Sequence, residues 1–346
     1  GTSESARRVF AASQMVLKRA DDRQYRRKVE PSSANIRFLM ADIELRDGRA
    51  AEASTLLAAA LKHEPSVWGY TKLATIERQV GHHLTALRYA RNAAELPAAR
   101  TFPFDAARAQ QLQFELLRDA KKPKEAAAAL EKALDTLLSL RVRRLKPAGR
   151  IQRERLLART LDRYGKRNGA IRAFERAMTM AKLHRESLPS TALDFLSWSL
   201  ARNERTAARG ALHALLDSSS AKDSQVYGAL WLMLLEEKAG KKPSSAVERV
   251  LLSAKDDEGW RGKLARWGRG ELSDQMLLTS ARHHTEKVEA QFYGAARRYQ
   301  RGDLKAAPEL HSVGSNPLVD LLEVRIAREL FVSDGHVKLP QGKKLP

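Results

Sequence analysis

The chain has 346 residues, with 62 Lys and Arg against 41 Asp and Glu, which gives a formal net charge of +21 at pH 7 and a pI near 10.3. It has no cysteine, so disulfides and thiolate metal sites are excluded, and it has no run of about 18 apolar residues that would form a spanning helix. The positive excess points to anionic surroundings or partners: nucleic acid, anionic lipid, acidic polysaccharide or acidic protein. An arginine-rich surface with no anionic partner is the competing reading.

In chain order, Gly1-Thr2-Ser3 carries no apolar leader and reads as a cloning remnant. Residues 4–29 read as one basic helix, with Arg19, Arg23 and Arg27 on one face, and Pro31-Ser32-Ser33 punctuates it and offers a serine cap to the next helix. Helix pairs are then predicted over 34–64 with a turn at Asp47-Gly48, over 67–96 with a turn at Gly81, and over about 105–140. Pro147-Ala148-Gly149 separates these from a fourth pair over 150–184. Weaker pairs follow over about 189–217 and 223–254, and a shortened pair holds Trp260, Trp267 and Leu277. The last pair runs from Glu286 to about Leu310, turning at Gly302-Asp303, and a terminal helix is predicted over 317–331. Beta-branched residues are scattered rather than alternating, so no strand is expected.

The pairs repeat. Met40, Ala41, Gly48, Ala53, Leu57 and Ala60 recur 33 positions later as Leu73, Ala74, Gly81, Ala86, Ala90 and Ala93. A third copy reads Leu157, Ala158, Leu161, Tyr164, Gly165, Ala170, Phe174 and Ala177. A period of this length is the mark of stacked helical hairpins, in which small residues sit where two helices cross closest. These residues resemble the tetratricopeptide repeat (TPR) family. The positions that carry the resemblance are the small residue in each first helix, the turn glycine, and the paired alanines of the second helices (Ala53, Ala86, Ala126, Ala170, then Ala60, Ala93, Ala133, Ala177). The aromatic that usually opens the first helix is missing from several copies. The stretch from Trp260 to Ala307 is similar in order to the C-terminal repeats of bacterial TPR proteins, envelope lipoproteins among them, which leaves bacterial cytoplasm and periplasm both open.

The resemblance implies an all-α, right-handed superhelical solenoid of about seven to eight antiparallel helix pairs. Its divisions would be a basic capping helix (1–30), TPR-like repeats (31–184), degenerate repeats (185–285), a last repeat with its capping helix (286–332) and a flexible tail (333–346). It also implies a concave face, lined by first helices, that binds an extended peptide or another protein.

On the first helix of the fourth pair, Arg155, Arg159 and Arg163 recur every four residues and so share one face. If that face lines the groove, the ladder grips carboxylates or phosphates bidentately. Arg141, Arg143, Arg144, Lys146, Arg150 and Arg153 thicken the positive field upstream. A solvated helix face is the alternative. The same face on earlier pairs carries Asn35, Phe38, Trp68, Thr71, Thr75, Arg78, Arg108, Gln111 and Arg118, a polar, basic and aromatic mixture suited to a peptide groove. Trp68 could equally be a packing residue. The two-Asn, Lys/Arg set by which some TPR domains hold a C-terminal carboxylate is not evident.

Catalytic signals are poor. His82-His83 and His283-His284 point to different helix faces, Asp256-Asp257-Glu258 lacks calcium-loop spacing, and there is no phosphate loop, zinc-protease helix or nucleophile elbow. No enzyme activity, cofactor or metal is expected. The sequence therefore predicts a non-catalytic protein-interaction scaffold for an acidic or extended protein segment. The alternatives are a solenoid that binds nucleic acid or acidic polysaccharide, for which interleaved stacking aromatics are lacking, and the regulatory part of a larger enzyme.

Overall fold

A computed structural model describes residues 26–184, 187–217 and 222–331. These are all-α, with 17 helices and no strand among the described residues. They form eight pairs and one unpaired helix: α1 (Arg26–Arg46) with α2 (Ala50–His63), α3 (Val67–Gln79) with α4 (His83–Glu95), α5 (Pro103–Asp119) with α6 (Pro123–Leu138), α7 (Pro147–Arg163) with α8 (Arg167–Leu183), α9 (Leu188–Arg202) with α10 (Arg205–Leu216), α11 (Lys222–Lys238) with α12 (Ser245–Ala254), α13 (Trp260–Gly268) with α14 (Asp274–Ser280), α15 (His284–Gln300) with α16 (Ala307–Gly314), and α17 (Leu322–Leu330) alone.

Every pair turns by the same device. A left-handed residue follows the first helix: Gly48, Gly81, Gly165, Gly240, Gly270 and Gly302, with Lys121 and Asn203 in the other two. The next backbone N–H then bonds back five residues, as in Arg49 to Glu44, His82 to Glu77, Glu204 to Ser199 and Asp303 to Arg298. This is the Schellman closure, and it satisfies carbonyls that the helix end leaves open. Two predicted elements differ. Helix α1 runs through Pro31-Ser32-Ser33 instead of breaking there; Pro31 lies in its second turn, where the missing N–H forfeits a single hydrogen bond. The terminal helix begins at Leu322 rather than 317, because Pro317 sits in a bend and residues 317–321 are irregular. The basic helix read over 4–29 falls outside the described residues as far as position 25, and so does the tail from 332.

The described residues divide into two compact units: 26–129 with Pro317–Val319, and 130–316 with 320–331. In the first unit, α1 packs on α2, α2 on α3, α3 on α4 and α5, and α4 on α5. Its core alternates small with large: Ala41, Ala53 and Ala60 at the crossings, and Leu45, Leu57, Leu73 and Ile76 beside them. Each such large aliphatic side chain contributes about 1.5–3 kcal/mol by leaving water.

In the second unit, α7 packs on α8, α9 on α8, α10 and α11, and α11 on α12, α13 and α15. Aromatics take over the core: Phe174 stacks on Phe195 at 4.8 Å and lies 5.4 Å from Trp198, and Trp267 lies 5.5 Å from Tyr293. Helix α17 packs on α16, α15 and α9. Helices α9, α11, α15 and α17 thus touch in a closed circuit, with α17 returning to α9.

Close approach fixes one residue in α13. A Cβ added to Gly262 would lie 1.8 Å from the backbone oxygen of Asp257. Gly262→Ala therefore shifts the start of α13 and is expected to cost about 1–3 kcal/mol, the usual range for overpacking. Urea unfolding of the variant checks this.

Candidate binding faces

The arginine ladder on α7 faces α9 and α17. Arg155 Nε donates to Asp194 Oδ2 at 2.9 Å, Arg159 Nη1 donates to Glu329 Oε1 at 3.0 Å, and Arg159 Nη2 bonds Asp194 Oδ1. Arg163 lies 3.6 Å from Asp162 and 3.9 Å from Glu329. Arg325 of α17 donates to Asp194 Oδ1 and Ser197 Oγ, both at 2.9 Å. Arg202 grips Asp162 and also donates to the Glu329 carbonyl at 3.2 Å. Five guanidiniums thus meet three carboxylates inside the second unit.

Burial works against charge here, yet for the Asp194 and Glu329 carboxylates the pairing dominates. Despite burial, the Arg159, Arg325 and Arg155 cations hold the Asp194 carboxyl well below the usual carboxylate range. Glu329 is likewise lowered, to about 2, against its burial, by Arg159, Arg163, Arg202 and Arg325. Arg325 is pushed down to about 10 by burial and then by its neighbour Arg159. The ladder does bind carboxylates, and in this structure they are the chain's own. Asp194, Arg202, Arg325 and Glu329 were not singled out from sequence. A signal existed for Asp194: it is the lone acid in the apolar run from Thr191 to Leu200, and a buried acid demands a cation.

A second polar cluster lies between α11, α13, α15 and α17. Tyr227 Oη and Trp260 Nε1 donate to Glu289 Oε2 at 3.0 and 2.7 Å, and Tyr293 Oη donates to Glu323 Oε1 at 2.8 Å. Burial and the nearby Glu289 raise Glu323 to about 8, and burial raises Glu289 too. The Glu323 carboxyl in this interior is therefore neutral at pH 7.

The remaining candidates lie in the first unit. Arg78 is buried and bridges Glu115 and Asp119 of α5, the latter at 2.6 Å. Thr71 and Thr75 are half-buried, and their hydroxyls donate to carbonyls of their own helix at 2.7 and 2.8 Å. Arg108 is exposed beside Asp105 at 2.8 Å. Gln111 is half-buried on α5, and Arg118 covers the Phe114 ring at 5.7 Å. Asn35 falls in α1, but its side chain lies outside the described residues.

Trp68 is 44% exposed on the first turn of α3. Phe38 meets its ring edge-on at 5.5 Å, and Lys72 Nζ lies 5.2 Å from its centroid. Lys72 also pairs with Asp42 of α1 at 2.5 Å. First helices α1, α3 and α5 are thereby laced side by side in rungs: Phe38 to Trp68, Asp42 to Lys72, and Arg78 to Glu115 and Asp119.

Among the described residues, no three or more His, Asp and Glu side chains could together hold a metal ion, and no helix is long and apolar enough to cross a membrane. No family model matches the sequence, and no curated protein is significantly similar to it.

Proposed function

We propose that this chain is a non-catalytic protein-binding scaffold of TPR type, its hairpins coiling right-handed within each unit, and that it binds an extended acidic protein segment on the first-helix face of unit 1. Trp68 carries the reading. A large aromatic left nearly half exposed, yet held by Phe38 and Lys72, is a preorganised anchor, and such anchors dominate binding energy at interfaces. Thr71, Thr75, Gln111 and the basic Arg108 and Arg118 lie on the same helices α3 and α5 and add polar groups and positive charge, which steers acidic segments. The ladder residues Arg155, Arg159 and Arg163 have their carboxylates supplied from within unit 2, which moves the weight of the reading to unit 1.

The test is selection of phage-displayed 12-residue peptides on the immobilised full chain, followed by affinity measurement on variants. Enrichment of acidic peptides that lose about 30-fold in affinity with Trp68→Ala is the expected result, matching a hot-spot loss of about 2 kcal/mol. Selected peptides that bind Trp68→Ala and Arg108→Glu as tightly as the parent would contradict it.

A further inference from the structure

Most of the long basic run between α6 and α7 is not absorbed by the ladder or by the Trp68 face. It forms a short 3₁₀ turn, Val142–Arg144, in the second unit. The turn is pinned from α7: Arg150 Nε donates to the Leu145 carbonyl at 3.0 Å and Arg153 Nε to the Leu137 carbonyl at 2.9 Å. The cations it displays are therefore set on a fixed base. Arg141, Arg143, Arg144 and Lys146 are all exposed there, and among the described residues none of them forms an ion pair.

Beside the turn lies a groove of about 520 Å³, lined by Val142, Arg150, Glu154, Arg172, Glu175, Arg176, Thr179 and Met180. That is the size of a ligand cleft. Its own charges are partly spent, since Arg176 Nε donates to Glu154 Oε2 at 2.8 Å and Glu154 also pairs with Arg153. Arg172 is exposed and, like the turn cations, has no ion pair. Three cations, Arg150, Arg172 and Arg176, line the groove against two carboxylates, Glu154 and Glu175, and the turn that supplies Val142 to it adds Arg141, Arg143, Arg144 and Lys146.

We propose that this groove docks a second acidic protein segment, one that places an apolar side chain between Val142 and Met180 and its Asp or Glu residues against Arg143, Arg144 and Arg172. Two observations favour a peptide over nucleic acid. No aromatic lines the groove to stack a base. The apolar pair has a use in a peptide complex and none in a phosphate complex. This surface is separate from the Trp68 face and does not depend on it.

The test uses the full chain and fluorescence anisotropy with dye-labelled probes: a 12-residue Asp/Glu peptide with a central Leu, the same peptide with Ser in place of Leu, a 20-base-pair duplex DNA and a 20-nucleotide poly(dT). The Leu peptide is expected to bind more tightly than the Ser peptide, by about three- to tenfold, as for one buried aliphatic side chain. Arg143→Glu with Arg144→Glu is expected to weaken it by about tenfold or more, Arg172→Glu and Met180→Ser by about threefold each, and Trp68→Ala not at all. All four substituted positions in the groove are exposed or half-buried, and an unchanged unfolding midpoint separates lost binding from lost fold. The proposal is overturned by equal binding of the Leu and Ser peptides, by tighter binding of either DNA through the same arginines, or by indifference to the charge reversals. Loss of peptide binding with Trp68→Ala instead would place the peptide on the other face.

Discussion

Asp194→Ala is expected to destabilise the second unit by about 3–5 kcal/mol, measured by urea unfolding at pH 7 and read from the midpoint with an unchanged slope. The carboxylate is buried and accepts from Arg155, Arg159 and Arg325 at once. Its removal leaves three guanidiniums crowded with the two remaining acids, Asp162 and Glu329, and Arg325 already loses part of its basicity to Arg159. Asp194→Asn is expected to lose less, because the amide oxygen still accepts a hydrogen bond although the charge is gone. Added salt should restore little, since buried pairs are weakly screened. By contrast Arg108→Ala, which breaks an exposed pair with Asp105, is expected to stay within about 0.5 kcal/mol. A loss for Asp194→Ala no larger than that of Arg108→Ala would show that the cluster does not hold α17 and α9 to α7.

The second large effect is a fall in stability with rising pH. Glu323 faces Tyr293 and Glu289 of α15, lies near Tyr227 of α11, and has Arg325 of its own helix as a nearby cation. Its carboxyl is raised to about 8, by burial first and by Glu289 second. A carboxyl with a raised folded value binds its proton more tightly in the folded state. Its stability contribution is therefore complete below the unfolded value of 4.5 and is lost as pH climbs through about 8. Each pH unit in that window costs about 1.4 kcal/mol, so the whole span is of order 3–5 kcal/mol. Glu329 and Asp194 run the other way: their lowered carboxyls add stability above the unfolded carboxylate range, which is lost as pH falls toward about 2 for Glu329. Maximum stability is therefore expected near pH 5. Glu323→Gln keeps an acceptor for the Tyr293 hydroxyl and removes the titration. Its unfolding free energy should match the parent near pH 5, exceed it by a few kcal/mol at pH 8, and vary less than the parent between the two. A parent curve flat from pH 5 to 8 would contradict the neutral, buried Glu323.

The legible part of the fold was the part governed by local chemistry. Turn glycines at 48, 81, 165 and 302 announce left-handed backbone, and the alanines 33 residues apart announce helix crossings. The pairs between 188 and 280 read weakly for two physical reasons. Asn203 replaces the turn glycine in one of them, and Trp198, Trp231 and Trp267 fill crossings with bulk instead of alanine. Their turns are nonetheless closed by the same hydrogen bond to the carbonyl five residues back. The candidate site was legible only by face. Four-residue spacing put Arg155, Arg159 and Arg163 together, but their acids lie 39 positions away at Asp194 and 170 positions away at Glu329. No local pattern reports a contact of that span. Trp68 was left between packing and groove from sequence; the structure packs it on Phe38 and leaves it 44% exposed.

The central claim is that the chain's own helix α17 occupies the arginine ladder. A double-mutant cycle on Arg159 and Glu329 measures it directly: Arg159→Ala, Glu329→Ala and the double variant, each unfolded in urea at pH 7. The 3.0 Å pair is nearly out of water on both sides, so the coupling energy should exceed about 1 kcal/mol. Losses that simply add, leaving no coupling, would show that Glu329 does not sit on Arg159 in solution and that the ladder is open to a partner.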